Sequence, residues 1–246
     1  MRNYKEETEK RVEFIKETIK NAHADGVVFG NSGGKDCALV GILCKMACEK
    51  TVGVIMPCSS KRNYGEDMTD GMEVADKFGI ETRVVDITPL KEKFREVLRD
   101  ITVLNEMGDT NINPRLRMTT LYAIGASENL LVAGTGNRSE RYMGYFTKWG
   151  DGACDFNPIS DLTVKEVYEF LAYLGAPEAI MTKAPSAALF EGQSDEEDMG
   201  IKYADIDNFL LTGGISEENR KIIDRYHGRS GHKRKMPAVY NEVDAE

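Results

Sequence analysis

The chain has little of what several common functions require. Its three histidines, at 23, 227 and 232, show no metal-ligand spacing, which argues against a structural zinc site. Its five cysteines (Cys37, Cys44, Cys48, Cys58 and Cys154) form no C-x-x-C pair and are odd in number, so buried thiols in a reducing cytoplasm are expected. No apolar stretch reaches the roughly 20 residues of a membrane-spanning helix. The opening Met1-Arg2-Asn3-Tyr4-Lys5-Glu6-Glu7 has no apolar core of the kind an export signal carries, so no membrane association is expected. Basic residues are outnumbered, 32 Lys and Arg against 41 Asp and Glu, for a net charge of -9. That balance excludes the broad basic surface a nucleic-acid binder needs, but leaves room for local sites that take small anions.

What is present is ordinary for a soluble folded chain, with 41% hydrophobic and 30% charged residues. A chain of 246 residues buries a sizeable core, and without a clear linker or repeat it reads as one domain, 1–246. Val12, Ile15, Ile19 and Ala22 fall at helical spacing in a segment 4–22. Short apolar runs at 26–30, 52–56, 82–87 and 130–134 read as strands, and segments 38–48, 66–78, 90–102 and 114–128 read as the helices between them. This alternation predicts an α/β fold: a doubly wound parallel sheet with helices on both faces, followed by a helical C-terminal part. In that part Thr163 with Glu166 forms a capping box for a helix to Leu174. A short helix runs from Tyr203 to Leu211, and Ser216 caps the last helix. The acidic, unpatterned segment 191–200 reads as a loop and a plausible lid.

Ligands in such sheets collect at the carboxyl ends of the strands. Two strands end in segments rich in Gly, Ser, Thr and Asn, at 30–37 and 134–140. The first is Gly30-Asn31-Ser32-Gly33-Gly34-Lys35-Asp36-Cys37. Consecutive glycines let backbone amides turn toward an anion, and the following helix points its positive end there. Ser32 supplies a hydroxyl, and Asp36 is placed to hold a magnesium ion bridging phosphate oxygens. The loop is neither a Walker A sequence nor the dinucleotide fingerprint.

This loop resembles the S-G-G-x-D-S signature of the N-type ATP pyrophosphatases, which split ATP into AMP and pyrophosphate. A second block narrows the resemblance: Gly134-Thr135-Gly136-Asn137-Arg138-Ser139-Glu140, then Gly144-Tyr145-Phe146-Thr147-Lys148-Trp149-Gly150-Asp151-Gly152, with Asp155 beyond. It is similar to the corresponding stretch of the ammonia-dependent NAD synthetases. Further matches in family order are Asn111, Arg115, Arg117 and Met118; Lys183, Pro185, Ser186 and Ala187; Asp195 and Glu196; Tyr203, Ile206 and Asp207; and His232-Lys233-Arg234 with Pro237.

The resemblance implies an adenine nucleotide alpha hydrolase-like fold and a ligase activity. ATP-dependent amidation of deamido-NAD with ammonia would give NAD, AMP and pyrophosphate through an acyl-adenylate. It implies ATP binding by Gly30, Asn31, Ser32, Gly33, Gly34, Lys35, Asp36, Cys37, Thr135 and Ser186. It implies Mg2+ held by Asp36 and Glu140, and deamido-NAD held by Arg115, Tyr145, Lys148, Asp155, His232 and Lys233. Asp36, Glu140 and Lys148 would carry the catalysis. It also implies a homodimer and, since glutamine-using relatives carry an extra amidohydrolase domain, free ammonia as nitrogen donor. Three positions depart from the pattern. Cys37 replaces Ser or Thr, Pro114 replaces a small residue, and Val164 stands where a lysine is common, with Lys165 one position along and turned about 100° away on a helix. Two other readings stay open on the loop alone: a tRNA-thiolating pyrophosphatase and an inactive nucleotide-binding relative.

Overall fold

A computed structural model describes residues 2–58, 64–182 and 195–240. Helix α1 (Tyr4–Asn21) leads to strand β1 (Gly26–Gly30), α2 (Lys35–Ala47), β2 (Thr51–Ile55), α3 (Glu66–Phe78) and β3 (Glu81–Val84). Three helices follow, α4 (Thr88–Leu98), α5 (Glu106–Thr110) and α6 (Ile112–Glu128), before β4 (Leu130–Ala133). The rest is helical: α7 (Arg138–Met143), α8 (Val164–Leu174), α9 (Glu178–Thr182), α10 (Asp195–Met199), α11 (Tyr203–Thr212), α12 (Glu217–Arg229) and a short 3-10 helix, Gly231–Arg234.

The four strands are parallel in the order β3-β2-β1-β4. Pairing of Phe29 with Gly53 and Ala133 on either side fixes β1 in the centre. Strand alternation then divides the core. Val27 and Phe29 face a cluster with Ile15, Leu39, Leu43 and Phe170 from α1, α2 and α8. Val28 faces the other way, with Val54, Leu121 and Val132 under α6. A one-residue slip would exchange these faces, so the register is strongly specified. Gly41 of α2 lies against the Phe29 ring, where an added Cβ would stand 2.6 Å from Cζ. A third cluster, with Met143, Val164, Tyr203, Ile206 and Ile223, joins α7, α8, α11 and α12.

The α/β class with a parallel sheet and a helical C-terminal part agrees with the sequence pattern. The capping box is present in full, with Thr163 Oγ1 and the Glu166 carboxylate each serving the other's backbone N–H. Some boundaries differ. Strand β3 ends at Val84 because it is an edge strand with largely exposed side chains, so little apolar pattern marks it. The segment 191–200 is not wholly a loop. Asp195–Met199 is α10, with Asp195 accepting from Tyr203 OH at 3.2 Å and Glu196 Oε1 accepting from Tyr203 N at 2.8 Å. Those partners lie outside the segment, which is why its own composition did not reveal a helix. Residues 191–194 and the proposed ATP contact Ser186 lie outside the described residues.

Candidate active site

The strand order reverses between β1 and β4, whose carboxyl ends open the crevice where α/β sheets bind ligands. The β1 end carries the glycine loop. Gly33 has φ +68° and an added Cβ would fall 2.0 Å from the Asp67 carbonyl oxygen, so only glycine fits. Asn31 braces the turn: its Nδ2 donates to Gly71 O at 3.0 Å and its Oδ1 accepts from Gly33 N at 3.3 Å. Gly34 is the N-cap of α2 and offers no side-chain cap. The first N–H groups of α2 are left for an anion, with the helix dipole behind them.

The β4 end supplies the opposite wall. Asn137 caps α7 through a reciprocal box with Glu140, and its Nδ2 also donates to Asp36 Oδ1 at 3.1 Å. One residue thus links the two carboxylates, its side-chain amide holding Asp36 and its backbone N–H donating to Glu140 Oε2 at 3.1 Å. Lys35 Nζ holds the other Asp36 oxygen at 2.7 Å and lies over the rings of Tyr168 and Tyr203, 5.9 and 6.0 Å from their centroids. Burial alone would depress the Lys35 ammonium, but the charges of Asp36 and Glu140 outweigh it and raise its pKa. Glu140 is pushed up to about 8, first by burial and then by Asp36 beside it. Such an acidic pair calls for a cation. Two carboxylates suit Mg2+, which keeps waters and takes its remaining ligands from phosphates. Among the described residues no larger group of metal-ligating side chains forms.

The departures have local explanations. The Cys37 Sγ lies 3.1 Å from Ser32 Oγ, and burial raises its thiol pKa, so the side chain packs rather than reacts. Pro114 falls in the first turn of α6, where its missing N–H has no helical partner to lose. Val164 belongs to the third apolar cluster, while Lys165 is exposed and 3.8 Å from Glu169. Lys165 therefore turns away from the site, as the helical geometry required.

Loop, carboxylates and acceptor end share one cavity of about 1320 Å³. Gly30, Asn31, Ser32, Gly34, Lys35, Asp36, Cys37, Thr135 and Glu140 line one end; Tyr145 and Lys233 line the other. The remaining acceptor residues are arranged differently. Arg115, Lys148 and His232 form an exposed chain at the rim, Arg115 donating to Lys148 O at 3.3 Å and Lys148 Nζ to His232 O at 2.7 Å. The structure does not bring Asp155 into the cavity wall: its carboxylate accepts from Val132 N at 2.7 Å and Tyr122 OH at 3.1 Å. Tyr145 OH donates to Asp198 at 2.9 Å, and Lys233 Nζ donates to Gly144 O and Phe146 O at 2.8 and 2.7 Å. Two residues to which the sequence assigned no role also matter here. Asn137 bridges the carboxylates, and Asp207, buried and accepting from Ser139 Oγ at 2.5 Å and Lys165 N at 2.7 Å, locks α7 to α8.

A parallel sheet with an anion-binding glycine loop facing a cross-strand carboxylate pair defines an adenine nucleotide alpha hydrolase-like protein. The chain belongs to the NAD synthase family, whose model matches residues 7–237. It is 47% identical to the NH(3)-dependent NAD(+) synthetase of Carboxydothermus hydrogenoformans, over 96% of this chain and 98% of the relative. Among solved structures it resembles the NMN synthetase from Francisella tularensis, with TM-score 0.93, 38% identity and coverage of 98% of this chain and 100% of the other. It also resembles the NH3-dependent NAD synthetase from Campylobacter jejuni in complex with the nitrate ion, with TM-score 0.80, 30% identity and the same coverage.

Proposed function

We propose that this enzyme uses ATP to amidate deamido-NAD with ammonia, yielding NAD, AMP and pyrophosphate. The observation that carries the reading is the single cavity joining the glycine loop and the Asp36–Asn137–Glu140 bridge to the basic acceptor end. At about 1320 Å³ it exceeds the roughly 300–1,000 Å³ of a pocket for one drug-sized ligand, which suits two nucleotides meeting head to head.

The chemical difficulty is to bring an anionic carboxylate to the α-phosphate while charge grows on the departing pyrophosphate. The amides of the loop and of the α2 N-terminus hold the phosphates, and Lys35 adds a buried positive charge. Asp36 and Glu140 would hold Mg2+, which supplies charge neutralisation at the phosphate oxygens. Tyr145 and Lys233 bind the acceptor, with Arg115, Lys148 and His232 guiding it at the rim. Asp155 supports this end from behind by fixing β4. Ammonia then attacks the acyl-adenylate and AMP leaves. No protein nucleophile is needed, in keeping with the inert Cys37 thiol.

We infer a homodimer formed through α4. Leu90, Phe94 and Val97 lie at helical spacing on α4 and are exposed, with exposed Ile101, Val103 and Met107 beyond its end. A contiguous apolar face of this kind is what a second copy would cover. We treat residues 1–246 as one domain, supported by the packing of α8 on α2 and of α11 on α8. A cytoplasmic location is supported by five free cysteines; no described helix is long and apolar enough to cross a membrane.

A second reading concerns only the acceptor. The similarity to an NMN synthetase at TM-score 0.93 favours nicotinate mononucleotide, the acid corresponding to NMN. One assay decides: purified protein with ATP, Mg2+ and ammonium, and either deamido-NAD or nicotinate mononucleotide, scored for amide and AMP. A higher kcat/KM for the dinucleotide supports the main reading. A tenfold preference for the mononucleotide replaces it, and no amide from either sinks both.

A further inference from the structure

Arg117 lies in the second turn of α6 and lines the cavity beside Met56 and the glycine loop. Its Nε donates to Met56 O at 3.2 Å, and neither terminal nitrogen has a protein acceptor among the described residues. The contrast with other basic side chains is sharp. Lys35 is bonded to Asp36, Lys233 to two carbonyls, and Arg2, Arg11, Arg83 and Arg95 to carboxylates. Arg117 is half-buried in the cavity wall, less enclosed than Lys35, and burial lowers its pKa. Asp151 and Asp67 attract it from a distance without forming an ion pair. Removing a guanidinium from water without a carboxylate partner is costly for the folded chain. Such a cost is tolerated where a ligand supplies the missing anion.

We propose that Arg117 binds an anionic oxygen of the reacting pair, on the acceptor carboxylate or on the α-phosphate of ATP, with its two free nitrogens. The proposal rests on the amidation reading. The guanidinium is a planar fork that matches a carboxylate or phosphate edge with two parallel hydrogen bonds. Its Nε anchor on the β2 end sets the direction of that fork, so Arg117 recognises an oxyanion at a fixed place rather than attracting charge generally.

The test uses the full-length protein with Arg117→Met and Arg117→Lys. Binding of Mg-ATP and of the acceptor is measured separately by calorimetry, alongside kcat and KM. R117M should lower kcat/KM by at least about 10- to 150-fold, the loss expected for one of the two charge-assisted hydrogen bonds it removes. R117K should recover part of it, having the charge without the fork. A loss of affinity confined to ATP assigns the α-phosphate; one confined to the acceptor assigns the carboxylate. The ligand-free Tm of R117M should be no lower than that of the wild type, because the substitution removes a desolvated charge. Unchanged kinetics and affinities would overturn the proposal. So would an activity loss that only tracks a fall in Tm and folded fraction, which marks a structural residue. If the wild type makes no amide with either acceptor, the amidation reading fails, and the separately measured affinities for Mg-ATP and for each acceptor still decide Arg117: a loss in either supports it, and no change in both overturns it.

Discussion

At the scale of single residues, Asn137 carries two duties that substitution can separate. It caps α7, and it holds Asp36 Oδ1 at 3.1 Å while its backbone N–H is held by Glu140 Oε2 at 3.1 Å. Serine keeps the cap but is too short to reach Asp36. Asn137→Ala should cost about 0.5–2 kcal/mol of stability in urea melts. Asn137→Ser should retain most of that stability and still lose kcat. Full activity in N137S would show that the Asp36 contact has no catalytic value. The Cys37 thiol offers a second check. Because it is buried, with its pKa raised by burial, iodoacetamide at pH 8 should leave it unmodified in the folded protein, as read by mass spectrometry. Cys37→Ser restores a stronger hydroxyl partner for the loop and should lower the KM for ATP. A weaker ATP affinity would contradict that account.

At the scale of elements, what could be read from sequence followed the range of the interaction. The Thr163–Glu166 box and the glycine loop are local patterns, so α8 and the anion site were visible in the chain itself. Asp207 was not visible as a lock, because its partner Ser139 lies 68 positions away. Helix α10 is hidden for a different reason: four consecutive acidic residues give it no apolar pattern, and the contacts that fix it go to Tyr203, just outside the segment. Asp155 looked like a ligand contact by resemblance, yet its carboxylate is engaged by Val132 N and Tyr122. Helix α1 shows how a surface element is pinned by charge. Arg11 bonds Asp161 at 2.7 and 2.8 Å and also reaches Pro158 O, and Arg2 bonds Glu166 at 2.8 Å. Burial pushes the Asp161 carboxyl up, but the Arg11 hydrogen bonds and charge outweigh it, so its folded pKa is depressed. A depressed acid stabilises the fold above its unfolded pKa and loses that contribution as pH falls through the folded value. Asp161→Asn should therefore lower Tm near pH 7, and the difference from wild type should shrink as pH falls through the usual carboxylate range and vanish once the folded-state carboxyl is protonated. A difference that persists at low pH would assign the effect to packing.

At the scale of the whole molecule, the exposed face of α4 is the feature the monomer leaves unexplained. Val97 is 59% exposed, Phe94, between Leu90 and Val97, is 46% exposed, and Ile101 just past the helix end is 74% exposed. Phe94→Glu should shift light scattering from dimer to monomer while leaving the far-UV circular dichroism unchanged. A wild-type monomer would remove the inference. If the interface adjoins the rim formed by Arg115 and Lys148, the monomeric variant should also raise the acceptor KM more than that for ATP.

The strand order has a consequence for how the chain reaches this state. β1 pairs with β4 through Val28 and Val132, so the two lips of the crevice are about a hundred residues apart in sequence. During synthesis β1 emerges early and must wait with one edge open until β4 arrives. The Val27-Val28-Phe29 segment is then an apolar strand without its second neighbour, the kind of edge on which partly made chains adhere to one another. Productive folding of this enzyme is thus a race between completing translation and self-association, and slowing the ribosome between residues 30 and 130 should favour aggregation.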